Sequence, residues 1–600
     1  GERERLEIYH DRLRETLVAG LTEETTCDIH RHVAKAMEQH GLDDPEALFG
    51  HYRAAGDRTR AALYADRAAT RASEALAFDL AAQFYRHAIE LVPGEDSLSG
   101  SSVEASRLGK ARLERGLGDA LANAGRCRDA AHAYIRAAKM SNSRRALELR
   151  RSAAEQLLIS GHLDEGREVL GEVLAQAGLR LAPTPKRALL SLVTRRLQLK
   201  LRGYGFTERP AEQVPPDKLH LIDICWAVST GLSMIDNIRG NDYAARGLLQ
   251  ALEAGEPIRV ANAMSMEAGF LASGGDRSNR AQAFVLSKQA SELAEKTGSA
   301  AAIAQTTMIA AACNYLSGLW RRAVAYATEA DVMLRERCPG AIWQKATSQR
   351  FGFGALMYAG EIGELVRRLP FALRDAEERG NLYSDADLKA RLFMHWLARD
   401  ATQEHRDALA EVFRRWTSQG YHIQHFNALR SLIHGDLYEG AYERASERFK
   451  DAWPALKGSM LLRVQVVRAE AHQLKAMLGL ARLAAGKVPT SKRRGVLKAV
   501  DKEIKALHGE GEPWCAALAD LLRAGHCKQS GDDDGALRHL PSAHHDLGAA
   551  DMASHAAAAE RALGLLLGGD AGAAKAAKAE AWMREQSIVD PARVTQALVV

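Results

Sequence analysis

Aromatic residues make up only 6% of this 600-residue chain. A sheet protein draws more heavily on aromatic and β-branched side chains. With Ala and Leu abundant, the shortage points to closely packed helices. Proline is also scarce, with 15 residues that fall mostly between the periodic segments. Seven cysteines stand at 27, 127, 225, 313, 338, 515 and 527. Their number is odd and no C-x-x-C pair occurs, which argues against a disulfide framework or a zinc ribbon and for the reduced thiols of a cytoplasmic protein. No apolar run reaches the ~18 residues that a membrane span requires. No signal peptide opens the chain, and Glu2 onward reads as the middle of a helix, so the chain is expected to be part of a longer protein. The net charge of +5 is small for this length, and basic residues are scattered among acids. Nucleic acid is therefore disfavoured as a partner.

Catalytic signatures are missing too. There is no G-x-x-x-x-G-K-[ST], no H-E-x-x-H and no G-x-S-x-G. Gly352-Phe353-Gly354 lacks a third glycine and a preceding strand, so it reads as close helix packing. His10-Asp11-Arg12 has the wrong order for a kinase catalytic loop. His539, His544 and His545 cluster beside Asp546, but adjacent histidines point to different helix faces, so a helix end is expected there and not a metal site. His422 and His425 share one face and read as a surface or packed pair. No catalytic residue, no metal site and no cofactor is assigned to this chain.

What is present is helical periodicity. Six hundred residues exceed what one core serves, so several domains or a repeat array are expected. Leu6, Leu13, Leu17 and Leu21 repeat at helical spacing in a first helix over residues 2–21. Thr22 is placed to cap a second helix, with Glu23 and Glu24 in its first turn and Gly41 as its stop. Asp44-Pro45 starts a third. Residues 58–75 and 77–91 form a helix pair, closed by Pro93-Gly94, and residues 94–102 read as a loop.

The clearest unit runs from Ala111 to Met140. Leu117-Gly118, Leu121, Gly125, Ala130, Tyr134 and Ala137 follow the spacing of a tetratricopeptide, a helix–turn–helix of about 34 residues. Gly118 and Ala130 let two helices approach closely. Gly125 takes positive φ cheaply in the turn. Tyr134 is expected to fill the gap toward the next unit. The unit departs from the repeat pattern at Glu114, where Trp is usual, at Leu121, where Tyr is usual, and at Asn142, where Pro is usual. A weaker copy follows around Ala154, Gly161, Gly166 and Leu170. Further turn glycines are expected at Gly318, Gly360, Gly435 and Gly486, with Ala311 and Ala323 matching Gly118 and Ala130. Breaks are expected at residues 203–217, which include Pro210, Pro215 and Pro216, and at 487–495. Residues 186–202 interleave Lys186, Arg187, Arg195, Arg196, Lys200 and Arg202 with Leu189, Leu190, Val193, Leu197 and Leu201. This reads as an array helix with buried leucines and a solvated basic face. The partner-binding candidates are Arg112, Arg115, Asp119 and Asn123, on the first helix of the clearest unit. That helix lines the concave surface in related arrays. Asp119 would repel a carboxylate, so capture of a peptide C-terminus is not expected.

Three stretches carry a family resemblance. Tyr9-His10-Asp11-Arg12-Leu13-Arg14-Glu15, continuing to His30-Arg31-His32-Val33-Ala34, resembles the end of the winged-helix region of bacterial signal-transduction ATPases of the STAND class. Ile222-Asp223-Ile224-Cys225-Trp226 and the following residues to Gly240 are similar to large bacterial Ser/Thr protein kinases of the kinase–ATPase–tetratricopeptide type. Ala581-Trp582-Met583-Arg584, continuing to Asp590-Pro591-Ala592-Arg593, resembles the C-terminal end of the same proteins. The resemblance implies a parent with a kinase domain and a STAND/AAA-type ATPase module upstream. ATP and Mg would be bound only there, and this array would act as sensor or autoinhibitory arm. The expected fold is all-α, a degenerate tetratricopeptide-like solenoid preceded by the end of a winged-helix region. The expected divisions are 1–45 (winged-helix end), 46–202 (first repeat block), 203–486 (second block) and 487–600 (C-terminal repeats and cap). The expected function is a non-catalytic interaction scaffold that takes a protein or peptide partner, the upstream domains of its own chain among the candidates. The alternative is a nucleic-acid-binding regulator of the STAND class.

Overall fold

Helix ends in this chain are written locally, and the computed structural model shows them. It describes residues 19–92, 101–233, 236–417 and 419–599. Most of the opening helix over residues 2–21, the His10-Asp11-Arg12 motif and most of the 94–102 loop therefore lie outside the described residues. Thr22 Oγ1 accepts from Thr25 N at 3.2 Å, and the Asp44 carboxylate accepts from Glu46 N and Ala47 N. Both caps use donors that the first helical turn leaves unpaired.

Among the described residues there are 29 α-helices, two short 3-10 turns and no strand. The chain divides into two compact units, residues 1–156 and 157–600. The first contains α1 (Glu23–Gln39), α2 (Pro45–Ala54), α3 (Arg58–Glu74), α4 (Phe78–Leu91), α5 (Ser101–Asn123), α6 (Cys127–Lys139) and most of α7 (Ser143–Ile159). In the second, α8 (Leu163–Gln176), α9 (Pro185–Arg202), α10 (Pro216–Leu232) and α11 (Asn237–Ala254) lead into a series of pairs. These are α12 (Pro257–Gly274) with α13 (Arg277–Thr297), α14 (Ala300–Leu316) with α15 (Trp320–Arg337), and α16 (Ile342–Ala359) with α17 (Ile362–Glu378). Next come α18 (Leu382–Arg391) and α19 (Phe393–Ala398) with α20 (Thr402–Arg415), then α21 (Ile423–Tyr438) with α22 (Tyr442–Gly458). The last pairs are α23 (Gln465–Ala484) with α24 (Thr490–His508), α25 (Pro513–Gln529) with α26 (Asp533–Ala549), and α27 (Ala553–Leu567) with α28 (Gly569–Glu585), followed by α29 (Pro591–Leu598). The fold is an all-α tetratricopeptide-like helical repeat.

The clearest unit packs as its glycine implies. A β-carbon on Gly118 would lie 2.6 Å from the Tyr134 ring. Tyr134 thus fills the space beside Gly118 inside its own pair, and its hydroxyl donates to Asp119 at 2.8 Å. That corrects the expectation that it bridges to the following unit. A small residue on one helix invites a large one from its nearest partner, and the nearest partner is α6.

In the second unit, left-handed residues close the first helix of successive pairs at Gly275, Gly318, Gly360, Asp400, Gly440 and Gly486. Gly318, Gly360 and Gly486 were expected in that role. Gly435 was also expected, but it lies inside α21, and Gly440 makes the turn with φ +73°. The expected break at 487–495 is shorter than its composition suggested, because α24 begins at Thr490. Helices of residues 465–598 pack back onto those of 257–438. Val589 N donates to Ala398 O at 2.9 Å, and earlier in the unit Tyr383 N donates to Ser160 O at 3.0 Å. Arg321 reaches Asp551 at 2.8 Å, and Arg593 reaches Asp400 at 3.0 Å. The first helices of these pairs are consequently enclosed. α14 is buried without interruption from Ala304 to Tyr315, polar residues included.

One helix turns the opposite way from its sequence reading. On α9, Leu190, Val193, Leu197 and Leu201 are more than half exposed. Arg195 instead reaches Asp242 at 3.2 Å, and Arg196 reaches Glu267 at 3.3 Å. Two buried carboxylates on neighbouring helices draw the guanidiniums inward, and the leucine stripe rotates out.

Candidate functional site

The sequence-derived candidates sit together on one stripe of α5. Arg112, Arg115 and Asp119 are exposed, and Asn123 is half-buried. The stripe is largely self-paired. Arg112 Nη1 donates to Asp66 at 3.1 Å, Arg115 lies 3.7 Å from Asp119, and Asp119 accepts from Tyr134. Loss of hydration pushes the Asp119 pKa up against the pull of Tyr134 and Arg115.

A second constellation was not visible in the sequence reading. Asn262 of α12, Gln305 of α14, Thr347 of α16, Asp387 of α18 and Asn427 of α21 each stand thirteen residues before their pair's left-handed residue (Gly275, Gly318, Gly360, Asp400, Gly440). This puts one polar side chain at the same level of five consecutive inner helices. Four of these side chains have a buried atom with no partner in the protein: Asn262 Oδ1, Gln305 Oε1, Thr347 Oγ1 and Asn427 Nδ2. Buried polar atoms are normally satisfied, and exceptions in one register call for a ligand or solvent.

Three or four residues further along lie Arg350, Arg391 and Arg430, each no more than 5% exposed. Arg350 pairs with Asp387 and donates to Tyr383 OH at 2.8 Å. Arg391 Nε donates to the other oxygen of Asp387 at 3.2 Å, and its Nη1 donates to Tyr315 OH at 3.0 Å. Arg430 pairs with Glu470 of α23, donates to Tyr358 OH at 2.9 Å, and holds the Arg391 carbonyl at 2.8 Å. Burial opposes the charge of Arg391, but Asp387 and its neighbours more than restore it and raise its pKa. Burial raises the pKa of Tyr315, Tyr358 and Tyr383, so all three stay neutral. The network borders a cavity of about 140 Å³ whose walls include Phe270, Ile309, Trp343, Phe351, Ile423 and Val467.

Among the described residues, no group of three or more His, Cys, Asp and Glu side chains converges as metal ligands would. His544 Nδ1 meets Ala556 O at 2.9 Å, and His425 Nδ1 accepts from His422 N at 3.0 Å. Gly354 lies against the Tyr315 ring, where a β-carbon would approach to 2.9 Å, so the Gly352–Gly354 stretch serves helix packing. Burial pushes the thiols of Cys225 and Cys313 up to about 12, which keeps them protonated at neutral pH. No described helix is long and apolar enough to cross a membrane.

No protein-family model matches the sequence, and no curated protein matches it. Among solved structures, the chain is similar to one in the crystal structure of the APC/C hetero-tetramer Cut9-Hcn1, at 11% identity and a TM-score of 0.39, over 88% of this chain and 86% of that one. It is also similar to a chain in the structure of Naa15/Naa10 bound to HypK-THB, at 12% identity and a TM-score of 0.25, over 95% and 96% of the two chains.

Proposed function

We propose that this chain is a protein-interaction and sensor scaffold without chemistry of its own, the regulatory C-terminal arm of a bacterial signalling kinase–ATPase. The observation that carries the scaffold reading is the inner polar row at Asn262, Gln305, Thr347 and Asn427. Packed helices lie about 8–10 Å apart. An extended segment advances about 3.3 Å per residue. One hydrogen-bonding side chain per repeat therefore meets about every third residue of a bound segment. The upstream domains of the parent chain are the first candidates for that partner, and a cytoplasmic setting follows from the same parentage. The stripe of Arg112, Arg115, Asp119 and half-buried Asn123 is proposed as a second contact. Its ion pairs are exposed, and such pairs exchange at little cost, about 0–1 kcal/mol each. The kinase–ATPase parentage, with ATP and Mg bound only upstream and the winged-helix end at 1–45, rests on the three stretches of resemblance. The nucleic-acid alternative is weakened on α9, where Arg195 and Arg196 face Asp242 and Glu267 instead of solvent.

The test is made on the longer parent protein. ATP hydrolysis and autophosphorylation are measured with the inner row intact and with Asn262→Ala, Gln305→Ala and Asn427→Ala combined. A change in either rate, with the fold preserved by circular dichroism, supports the reading. Unchanged rates, or a parent without either activity, overturn it.

A further inference from the structure

We propose that the cavity beside Arg350 and Asn427 binds a small monoanion with a compact aromatic or branched apolar body, its oxyanion facing Arg350, Trp343 and Asn427. The proposal rests on the reading of the inner helices as the ligand-facing surface.

Three independent features converge. The first is unfilled hydrogen-bonding capacity of one kind. Arg350 Nε, Trp343 Nε1 and Asn427 Nδ2 have no acceptor in the protein, and all three residues are at most 6% exposed and line the cavity. Each of these groups is a donor only. The fourth unpartnered group, Thr347 Oγ1, is a hydroxyl and adapts to either role. These unpaired N–H groups fit an oxyanion, and the one carboxylate lining the cavity, Glu470, is already held by Arg430 and Tyr358.

The second feature is charge. The network holds three guanidiniums, Arg350, Arg391 and Arg430, against two carboxylates, Asp387 and Glu470. Lys389 and Asp385 pair with each other nearby and do not change the balance. One buried positive charge is left without a counter-charge. An uncompensated charge in a low-dielectric interior is costly, and a monoanion removes that cost.

The third feature is shape. The cavity measures about 140 Å³. A dry apolar cavity of roughly 150 Å³ accepts benzene. Phe270, Ile309, Phe351, Ile423 and Val467 supply apolar walls of the kind that hold such a body. An acidic side chain of a partner and a free metabolite present the same chemistry, and the ring-sized volume matches a free small molecule.

Phenylacetate, phenylphosphonate and the neutral isostere phenylacetamide are titrated against the whole chain by calorimetry and thermal shift. Phenylacetate is expected to bind saturably and raise the melting temperature, with phenylacetamide at least about tenfold weaker because it lacks the charge. Preference for phenylphosphonate would assign a phosphoryl-type head to the same site. Asn427→Asp places a carboxylate at the cavity. It is expected to abolish anion binding while melting at or above the temperature of the unliganded wild type. Thr347→Val, which keeps the shape of the wall, is expected to weaken binding only modestly. Equal binding of phenylacetate and phenylacetamide, or no binding of any of the three, overturns the proposal. The scaffold reading stands or falls separately, on the parent's activity with the inner-row variants.

Discussion

Gly318 lies directly against the indole of Trp514, nearly two hundred residues further along the chain. Its φ is +72°, and an added β-carbon would overlap the ring at Cδ1. Gly360 meets Ser554 in the same way, its β-carbon position 2.7 Å from the Ser554 nitrogen. These contacts seat the turns of earlier pairs on the starts of later inner helices, and they close the second unit around its polar interior.

Gly318→Ala is expected to destabilise the chain on two grounds. Left-handed backbone costs an L-residue about 1–2 kcal/mol. Overpacking against Trp514 adds a further ~1–3 kcal/mol. Gly486→Ala is the control, since its φ is +67° but nothing lies within 4 Å of the new carbon. It should show the backbone cost alone. Urea midpoints of the two variants test this, and equal losses would remove the closure contact from the account.

Arg430 and Glu470 form a pair that is only 2% and 3% exposed. Removing one partner leaves a buried charge unpaired. Arg430→Met and Glu470→Leu are therefore each expected to cost about 3–5 kcal/mol. Arg430→Met combined with Glu470→Leu should cost clearly less than the sum of the single losses. A double-mutant cycle from denaturant unfolding checks this, and additive losses would count against a coupled pair.

On α9, Leu197 is 55% exposed and Leu199 is 1% exposed, two positions apart. Leu197→Gln is expected to change stability by less than about 0.5 kcal/mol. Leu199→Ala should cost about 2–5 kcal/mol. Thermal unfolding of the two variants decides between the observed orientation and one with Leu197 buried.

Burial pushes His395, His405, His422 and His555 down to about 4, and His434 to about 3. Folding keeps these imidazoles neutral, whereas the unfolded chain protonates them below about pH 6.5. Their contribution to stability is thus complete above that pH. It declines as pH falls from about 6.5 toward 4, and for His434 toward 3. Glu439, held down to about 2 with hydrogen bonds from Arg406, Thr402 and Arg444, adds acid sensitivity only below the ordinary Glu range. Urea midpoints should drop steadily from pH 7 to 5, and a flat profile across that window would contradict the burial of these rings.

The sequence by itself determined that the chain is helical and where several of its helices start and stop. Thr22, Asp44, Gly318 and Gly360 act through their own turns, so local chemistry suffices to place them. The close packing at Gly118 was legible for the same reason, although the side chain that fills it, Tyr134, was not. Only the tertiary structure decided which faces are inner and which charges are buried. A buried arginine reads like an exposed one until its partner is known. Asp387 lies 37 residues from Arg350, and Glu470 lies 40 from Arg430. The α9 stripe shows the same limit, because Asp242 and Glu267 on other helices decide which of its faces turns inward. The row from Asn262 to Asn427 left a trace in the sequence, a polar residue thirteen positions before each turn. Its meaning depended on knowing that Asp400 and Gly440 make those turns, and on the later helices that enclose it.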